Sequence, residues 1–182
     1  PEIADTTLAM ADMASRAGCL VSVDANLRHN LWAGGSADIT LVTQLIDRAG
    51  LVKLSMDELD YLRADHPAEA WLAERLAAGV RLLVITDGPG EVRAIGVGRE
   101  LRHAPPRVEA VDTTAGGDAF IGGLLAELAD YLGATAVDGD WHKDDDFLRR
   151  ALRTAANCGA HAVTRPGAYA ALPNRGDLAR LR

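Results

Sequence analysis

Apolar positions along the chain fall into two rhythms. Residues 5–17 (DTTLAMADMASRA) carry Ala, Leu and Met at helical spacing, and Gly18 fits a helix stop. The short apolar run CLVSVD follows and ends on Asp24. Helical periodicity returns over 36–49 (SADITLVTQLIDRA), with Ser36 placed as an N-cap. LVKL at 51–54 predicts a buried strand. Helices are expected over Met56–Arg63 and Ala68–Ala78, the second closed by Gly79. RLLVIT at 81–86 is the clearest buried strand, and DGPG behind it is a turn. EVRAIGVG and the segment Leu101–Ala104 predict two antiparallel edge strands. The stretch Val108–Val111 is read as the end of a strand leading into Asp112. A long helix is expected over Gly117–Tyr131, a polar loop over GATAVDGDWHKDDD (133–146), a last helix over Phe147–Ala162, and an irregular tail after Pro166. There is no internal repeat and no low-complexity block.

Strands that alternate with helices predict an α/β fold: a mostly parallel sheet sandwiched by helices in three layers, as one α/β portion over residues 1–182. Ligands of such sheets bind outside the carboxyl ends of the strands. Here those ends are Asp24, Ser55, Thr86 and the loop after Val111, which are also the chemically interesting segments.

Composition narrows the possibilities. The chain has 182 residues, 48% of them apolar, enough for a sizeable core. Its 26 acidic and 19 basic residues leave a net charge of -7, which argues against a general nucleic-acid binder. An anionic ligand would need locally positive ground, such as a helix N-terminus. Cys19 and Cys158 are far apart, with no CxxC or His/Cys cluster, so neither a zinc site nor a disulfide framework is expected, and the setting is read as reducing and cytoplasmic. No apolar run reaches bilayer length, and neither a signal peptide nor a membrane partner is expected. The chain begins with Pro1 and opens directly into a helical pattern, which leads us to expect either a longer natural protein or a chain that pairs with another one.

The most specific stretch is VDTTAGGDAFIGGLL, residues 111–125. Ala115, Gly116 and Gly117 open a helix, and small residues let backbone approach a ligand closely. Free N–H groups at a helix start form a nest for an anion. Asp118 lies in the first turn, where a carboxylate aimed at a substrate hydroxyl can act as a general base. Taken alone, Gly-Gly is also a plain turn, and a first-turn Asp also simply complements the helix dipole. The whole stretch resembles the D-T-x-G-A-G-D signature of the ribokinase-like (PfkB) carbohydrate kinases. The resemblance implies that Asp118 is the catalytic base and that the backbone of Ala115, Gly116 and Gly117 is the anion hole for the transferred phosphoryl group. One departure stands out: Ala115-Gly116 occupies the place of the common Gly-Ala.

Four further segments follow the family's order. VSVDANLRHNLW (21–32) looks like the D-x-N-x-R segment of fructokinases and 2-keto-3-deoxygluconate kinases, and its trailing Leu-Trp favours the fructokinase branch. It implies Asp24 and Asn26 on the substrate and Arg28 on the ATP phosphates; a turn whose Asp and Asn bond their own backbone is the other reading. VKLSMDEL (52–59) resembles K-x-S-x-x-E. This places Lys53 and Ser55 near ATP and Glu58 near Mg²⁺ through water, while Ser55 and Glu58 also fit a helix capping box. VITDGPGEV (84–92) resembles the nucleotide-lining T-x-G-x-x-G, with Thr86, Gly88 and Gly90 at one residue closer spacing; a hairpin turn explains it equally. NCGAHAVTRPGAYAALP (157–173) resembles the C-terminal helix and loop beside the adenine, with Asn157 toward the base. A monovalent cation, K⁺, is implied at Asp112 and Thr114 with carbonyls near Ala162, Arg165 and Gly167. His103 and His161 read as structural or surface residues.

The resemblance spans nearly the whole chain, yet the family's N-terminal half, with its sugar-binding Gly-Gly segment and the β lid that often forms a homodimer, is not within residues 1–182. The expected activity is ATP-dependent phosphorylation of a sugar, fructose first. Other small sugars, 2-keto-3-deoxygluconate among them, or a non-catalytic nucleotide-binding partner, are the alternatives.

Overall fold

The computed structural model describes residues 2–134 and 139–178, with the side chain of Glu2 outside the description. The described chain divides into two compact units: Pro1–Thr86 with Arg93–Glu100, and Asp87–Val92 with Leu101–Arg182.

The first unit begins with helix α1 (Glu2–Arg16), stopped where Gly18 takes a positive φ of 78°. Strand β1 (Ser22–Asp24) pairs parallel with β2 (Leu51–Ser55), and β2 pairs parallel with β3 (Leu82–Thr86). Strand β4 (Val92–Gly96) returns antiparallel to β3, and β5 (Arg99–His103) completes a five-stranded mixed sheet ordered β1-β2-β3-β4-β5. Successive residues of β2 and β3 are buried whichever way they point, as expected of strands covered on both faces. On one face Val52, Leu54, Leu83 and Ile85 form the core with Ile46 of α2 (Ile39–Ile46), Leu59 and Leu62 of α3 (Met56–Arg63), and Trp71 and Leu72 of α4 (Ala68–Ala78).

Helix ends follow local chemistry. Ser55 and Glu58 form the capping box of α3, with Ser55 Oγ accepting from Glu58 N at 3.2 Å. Gly79, at φ 119°, closes α4 by donating to the carbonyls of Arg75 and Leu76. The cap of α2 is Asp38 rather than Ser36. Gly34 and Gly35 take positive φ and prolong the loop, so the helix starts later and Asp38 Oδ1 accepts the amide of Leu41 at 3.1 Å.

The second unit is built on two antiparallel helices, α5 (Gly116–Ala134) and α6 (Asp145–Val163). Small residues let them approach closely. A Cβ on Gly116 would meet Val163 Cγ1 at 2.8 Å, one on Gly123 would meet Cys158 Sγ at 2.7 Å, and one on Gly159 would meet the Gly116 carbonyl at 3.1 Å. At the other end the Tyr131 and Phe147 rings pack at 4.3 Å, and Asp144 caps α6 by accepting from Phe147 N at 2.9 Å.

Two expected features differ. Residues 108–111 form no strand: the amides of Val111 and Asp112 donate instead to the Val163 carbonyl, at 2.7 and 3.1 Å, which ties this segment to the end of α6. The tail is more ordered than its composition implies, with a 3-10 turn at Tyr169–Ala171 and a short helix α7 (Arg175–Leu178). Residues 135–138 of the expected polar loop lie outside the described residues; the rest of that segment holds the end of α5, a 3-10 turn at Trp141–Lys143 and the start of α6.

Candidate active site

In the first unit, Asp24, Ser55 and Thr86 are the last residues of three adjacent parallel strands. They therefore lie along one edge of the sheet, where ligands of open α/β sheets bind. Asp24 and Lys53 are register partners, and Lys53 Nζ donates to Asp24 Oδ1 at 3.1 Å. Lys53 is only 6% exposed, so its ammonium depends on such partners for the hydration it has lost. Thr86 Oγ1 donates to the Leu54 carbonyl at 3.4 Å.

Asn26 adopts φ 40°, a left-handed conformation that Asn tolerates, and both Asn26 and Arg28 are exposed. The loop that carries them is fixed from outside itself. Glu58 Oε1 accepts the Leu27 amide at 2.7 Å while Oε2 accepts the Ser55 amide at 2.7 Å. Beyond Arg28, His29 Nδ1 accepts the Ala37 amide at 3.2 Å, its ring stands edge-on to Tyr61 at 4.4 Å, and the Tyr61 hydroxyl donates to the Ala37 carbonyl. Sequence reasoning missed Leu27, His29 and Tyr61, because backbone amides and loop closure leave no side-chain motif. Gly88, at φ 49°, and Gly90 lie in the turn behind β3, where the Gly90 amide donates to the Asp87 carbonyl at 2.6 Å.

In the second unit, Asp112 organises the approach to α5. Its Oδ1 accepts the Thr114 amide at 2.9 Å and its Oδ2 accepts the Gly167 amide at 2.8 Å, across 55 residues of sequence. Hydrogen bonds from the Thr114 side chain, then Gly167 and the Thr114 amide, hold this carboxyl below the usual carboxylate range. Ala115 takes φ 62°, a left-handed conformation that a side-chain-bearing residue adopts at a cost. The Gly116 amide turns inward to the Thr113 carbonyl at 3.3 Å. The amides of Ala115, Gly117 and Asp118 donate to no acceptor among the described residues. The amide of Asp118 is thus an unsatisfied donor at this helix start that sequence reasoning did not include, and the amide of Gly116 is engaged.

Asp118 lies in the first turn of α5, exposed, with no hydrogen bond to its carboxylate among the described residues. It opens onto a cavity of about 800 Å³ within the second unit, lined also by Asn157, Cys158, Arg153 and His103. Both the expected base and the expected adenine residue thus face one cleft. His161 is buried, and its Nε2 finds no hydrogen-bond partner among the described residues.

The pattern of the pfkB family carbohydrate kinases matches residues 3–175.

The chain belongs to this family.

Among curated relatives of this pfkB member, a fructokinase of Klebsiella pneumoniae is 38% identical over 96% of this chain and 55% of its own length. A fructokinase of Xylella fastidiosa, solved with bound ATP, superposes with a TM-score of 0.89 at 33% identity, over 98% of this chain and 56% of that one. A fructokinase of Vibrio cholerae O395, solved with fructose, ADP and a calcium ion, superposes with a TM-score of 0.85 at 30% identity, over 97% and 55% of the two chains. The fold is therefore ribokinase-like, and the chain spans about half the length of the relatives it matches. No helix among the described residues is long and apolar enough to cross a membrane.

Proposed function

We propose that the protein carrying this chain phosphorylates a sugar hydroxyl with ATP, fructose to fructose 6-phosphate being the reaction its relatives favour. The observation that carries this reading is the start of α5: uncommitted amides of Ala115, Gly117 and Asp118 stand in the same turn as the uncommitted carboxylate of Asp118, which lines a cavity of nucleotide size.

In this reading the Asp118 carboxylate takes the proton of the attacking sugar hydroxyl. The hydroxyl oxygen bonds to the γ-phosphorus as the bond to the bridging oxygen breaks, and ADP leaves. The α5 amides receive charge that develops on the transferred phosphoryl oxygens, without having to reorganise at that moment. Asn157 addresses the adenine, and Arg28 offers the phosphates a planar fork of donors. Asp24 and Asn26 address the sugar, and Thr86, Gly88 and Gly90 the nucleotide.

The residues fit Mg²⁺ in a limited way. Each oxygen of Glu58 already accepts a backbone amide, so what remains suits water-bridged contact rather than direct ligation. When bound, Mg²⁺ would neutralise phosphate charge. Asp112 and the Gly167 loop are already joined, which suits a K⁺ site there, although the Ala162 carbonyl is occupied by the Arg165 amide.

The test is sugar-dependent ADP release from Mg-ATP across a small panel led by fructose. Selective turnover of fructose is expected. Nucleotide binding with no turnover on any sugar would overturn the kinase reading in favour of a non-catalytic nucleotide-binding role.

A further inference from the structure

The three arginines that line the cavity of the second unit are not equivalent. Arg150 Nε pairs with Glu127 Oε2 at 3.1 Å, and the other oxygen of Glu127 accepts the Thr154 hydroxyl at 2.9 Å. Arg175 pairs with Asp130 at 2.9 Å. Arg153 is exposed, lines the same cavity, and makes neither a hydrogen bond nor an ion pair among the described residues. A guanidinium left uncommitted beside neutralised neighbours is either a solvated surface charge or a binding group.

Its position favours binding. Helices α5 and α6 run antiparallel, with Gly159 against Gly116 and Cys158 against Gly123. Arg153 precedes Asn157 by four residues, on the same face of α6. It precedes Gly159, the residue level with the anion hole, by six, or about 9 Å along the helix axis. Ordered along α6, the cavity thus presents Asp118 of the first turn of α5, then Asn157, then Arg153. A nucleotide lying in it with its terminal phosphate at Asp118 turns its nucleoside end toward Arg153.

The neighbourhood agrees. His103, at the end of β5, lines the same cavity, and burial first and the Arg153 charge second push its pKa down. The imidazole thus tends to add no second positive charge beside Arg153, whose guanidinium has no carboxylate partner among the described residues. A guanidinium is planar, delocalised and weakly hydrated, properties that suit the face of an aromatic base.

We propose that Arg153 is a nucleotide-binding residue whose guanidinium lies against the base at the nucleoside end of the cavity. The proposal rests on the nucleotide reading above and adds a residue to it. Position 153 belongs to none of the motifs that carry the family resemblance.

The test is calorimetric titration of the intact protein with ATP and, separately, with inorganic tripolyphosphate, for the native protein, Arg153→Ala and Arg153→Lys. Arg153 is exposed, so both variants are expected to keep the native melting temperature. Arg153→Ala is expected to weaken ATP about tenfold and leave tripolyphosphate unchanged, and to raise the KM for ATP without lowering kcat. Arg153→Lys, which keeps the charge and loses the plane, is expected to behave like the alanine variant. Unchanged ATP affinity in Arg153→Ala overturns the proposal while the nucleotide reading stands. So does equal weakening of tripolyphosphate, or full rescue by lysine. A native protein that binds no ATP overturns the nucleotide reading and this proposal with it.

Discussion

The Leu27 amide donates to Glu58 Oε1 at 2.7 Å across 31 residues of sequence, so the loop bearing Asn26 and Arg28 is fastened to the first turn of α3. The same carboxylate closes the α3 capping box through Ser55. Glu58→Ala removes both acceptors at once and should destabilise the protein by about 2 kcal/mol. Glu58→Gln keeps one acceptor and should lose less. Urea denaturation midpoints measure both, and an alanine midpoint equal to the native one would show that the fastening contributes nothing.

Ala115 and Gly116 should respond in opposite directions to exchange with one another's residue type. At φ 62° the Ala115 Cβ is strained, so Ala115→Gly should be neutral or stabilising by up to about 1 kcal/mol. Gly116→Ala puts a Cβ 2.8 Å from Val163 Cγ1 and should cost about 1–3 kcal/mol. Thermal unfolding of the two single variants checks the contrast. A Gly116→Ala protein as stable as the native one would mean that Val163 yields freely.

The Asp24–Lys53 pair is nearly dry, with the two side chains 15% and 7% exposed. Asp24→Ala leaves the Lys53 ammonium short of a carboxylate and should destabilise by about 3 kcal/mol. The denaturant midpoint of that variant gives the value. A loss within the range of ordinary surface substitutions, about 0.5 kcal/mol, would show that Lys53 recovers solvent.

Asp112 predicts a pH dependence. Its folded pKa lies below the unfolded value, so between the two the unfolded chain binds more protons and stability rises with pH. The contribution is complete above about pH 4, the ordinary aspartate value, and is lost as pH falls through the lower folded pKa. Asp112→Asn should remove this part of the acid sensitivity. Acid titrations of the two proteins, followed by circular dichroism, should differ below pH 4, and superimposable curves would contradict the assignment.

What the sequence disclosed follows from the range of each interaction. Apolar runs such as LLVIT and capping pairs such as Ser55 with Glu58 are local, so β3, α3 and α4 were legible. The segment 108–111 has the composition of a strand, but its amides go to Val163, a choice made by a partner more than 50 residues away in sequence. The swap at Ala115-Gly116 looked like a departure from the motif. The packing of Val163 supplies a reason for glycine at the second position that no local pattern could reveal. The importance of Leu27 lay in its amide, which the identity of its side chain does not encode.

The most direct test of the central claim is steady-state phosphorylation of fructose from Mg-ATP by the intact protein and by Asp118→Asn, with ATP affinity measured in parallel. The account predicts that Asp118→Asn binds ATP as the native protein does and loses roughly 10²–10⁴-fold in kcat, the range of a positioned general base. An Asp118→Asn protein that phosphorylates fructose at the native rate would contradict it.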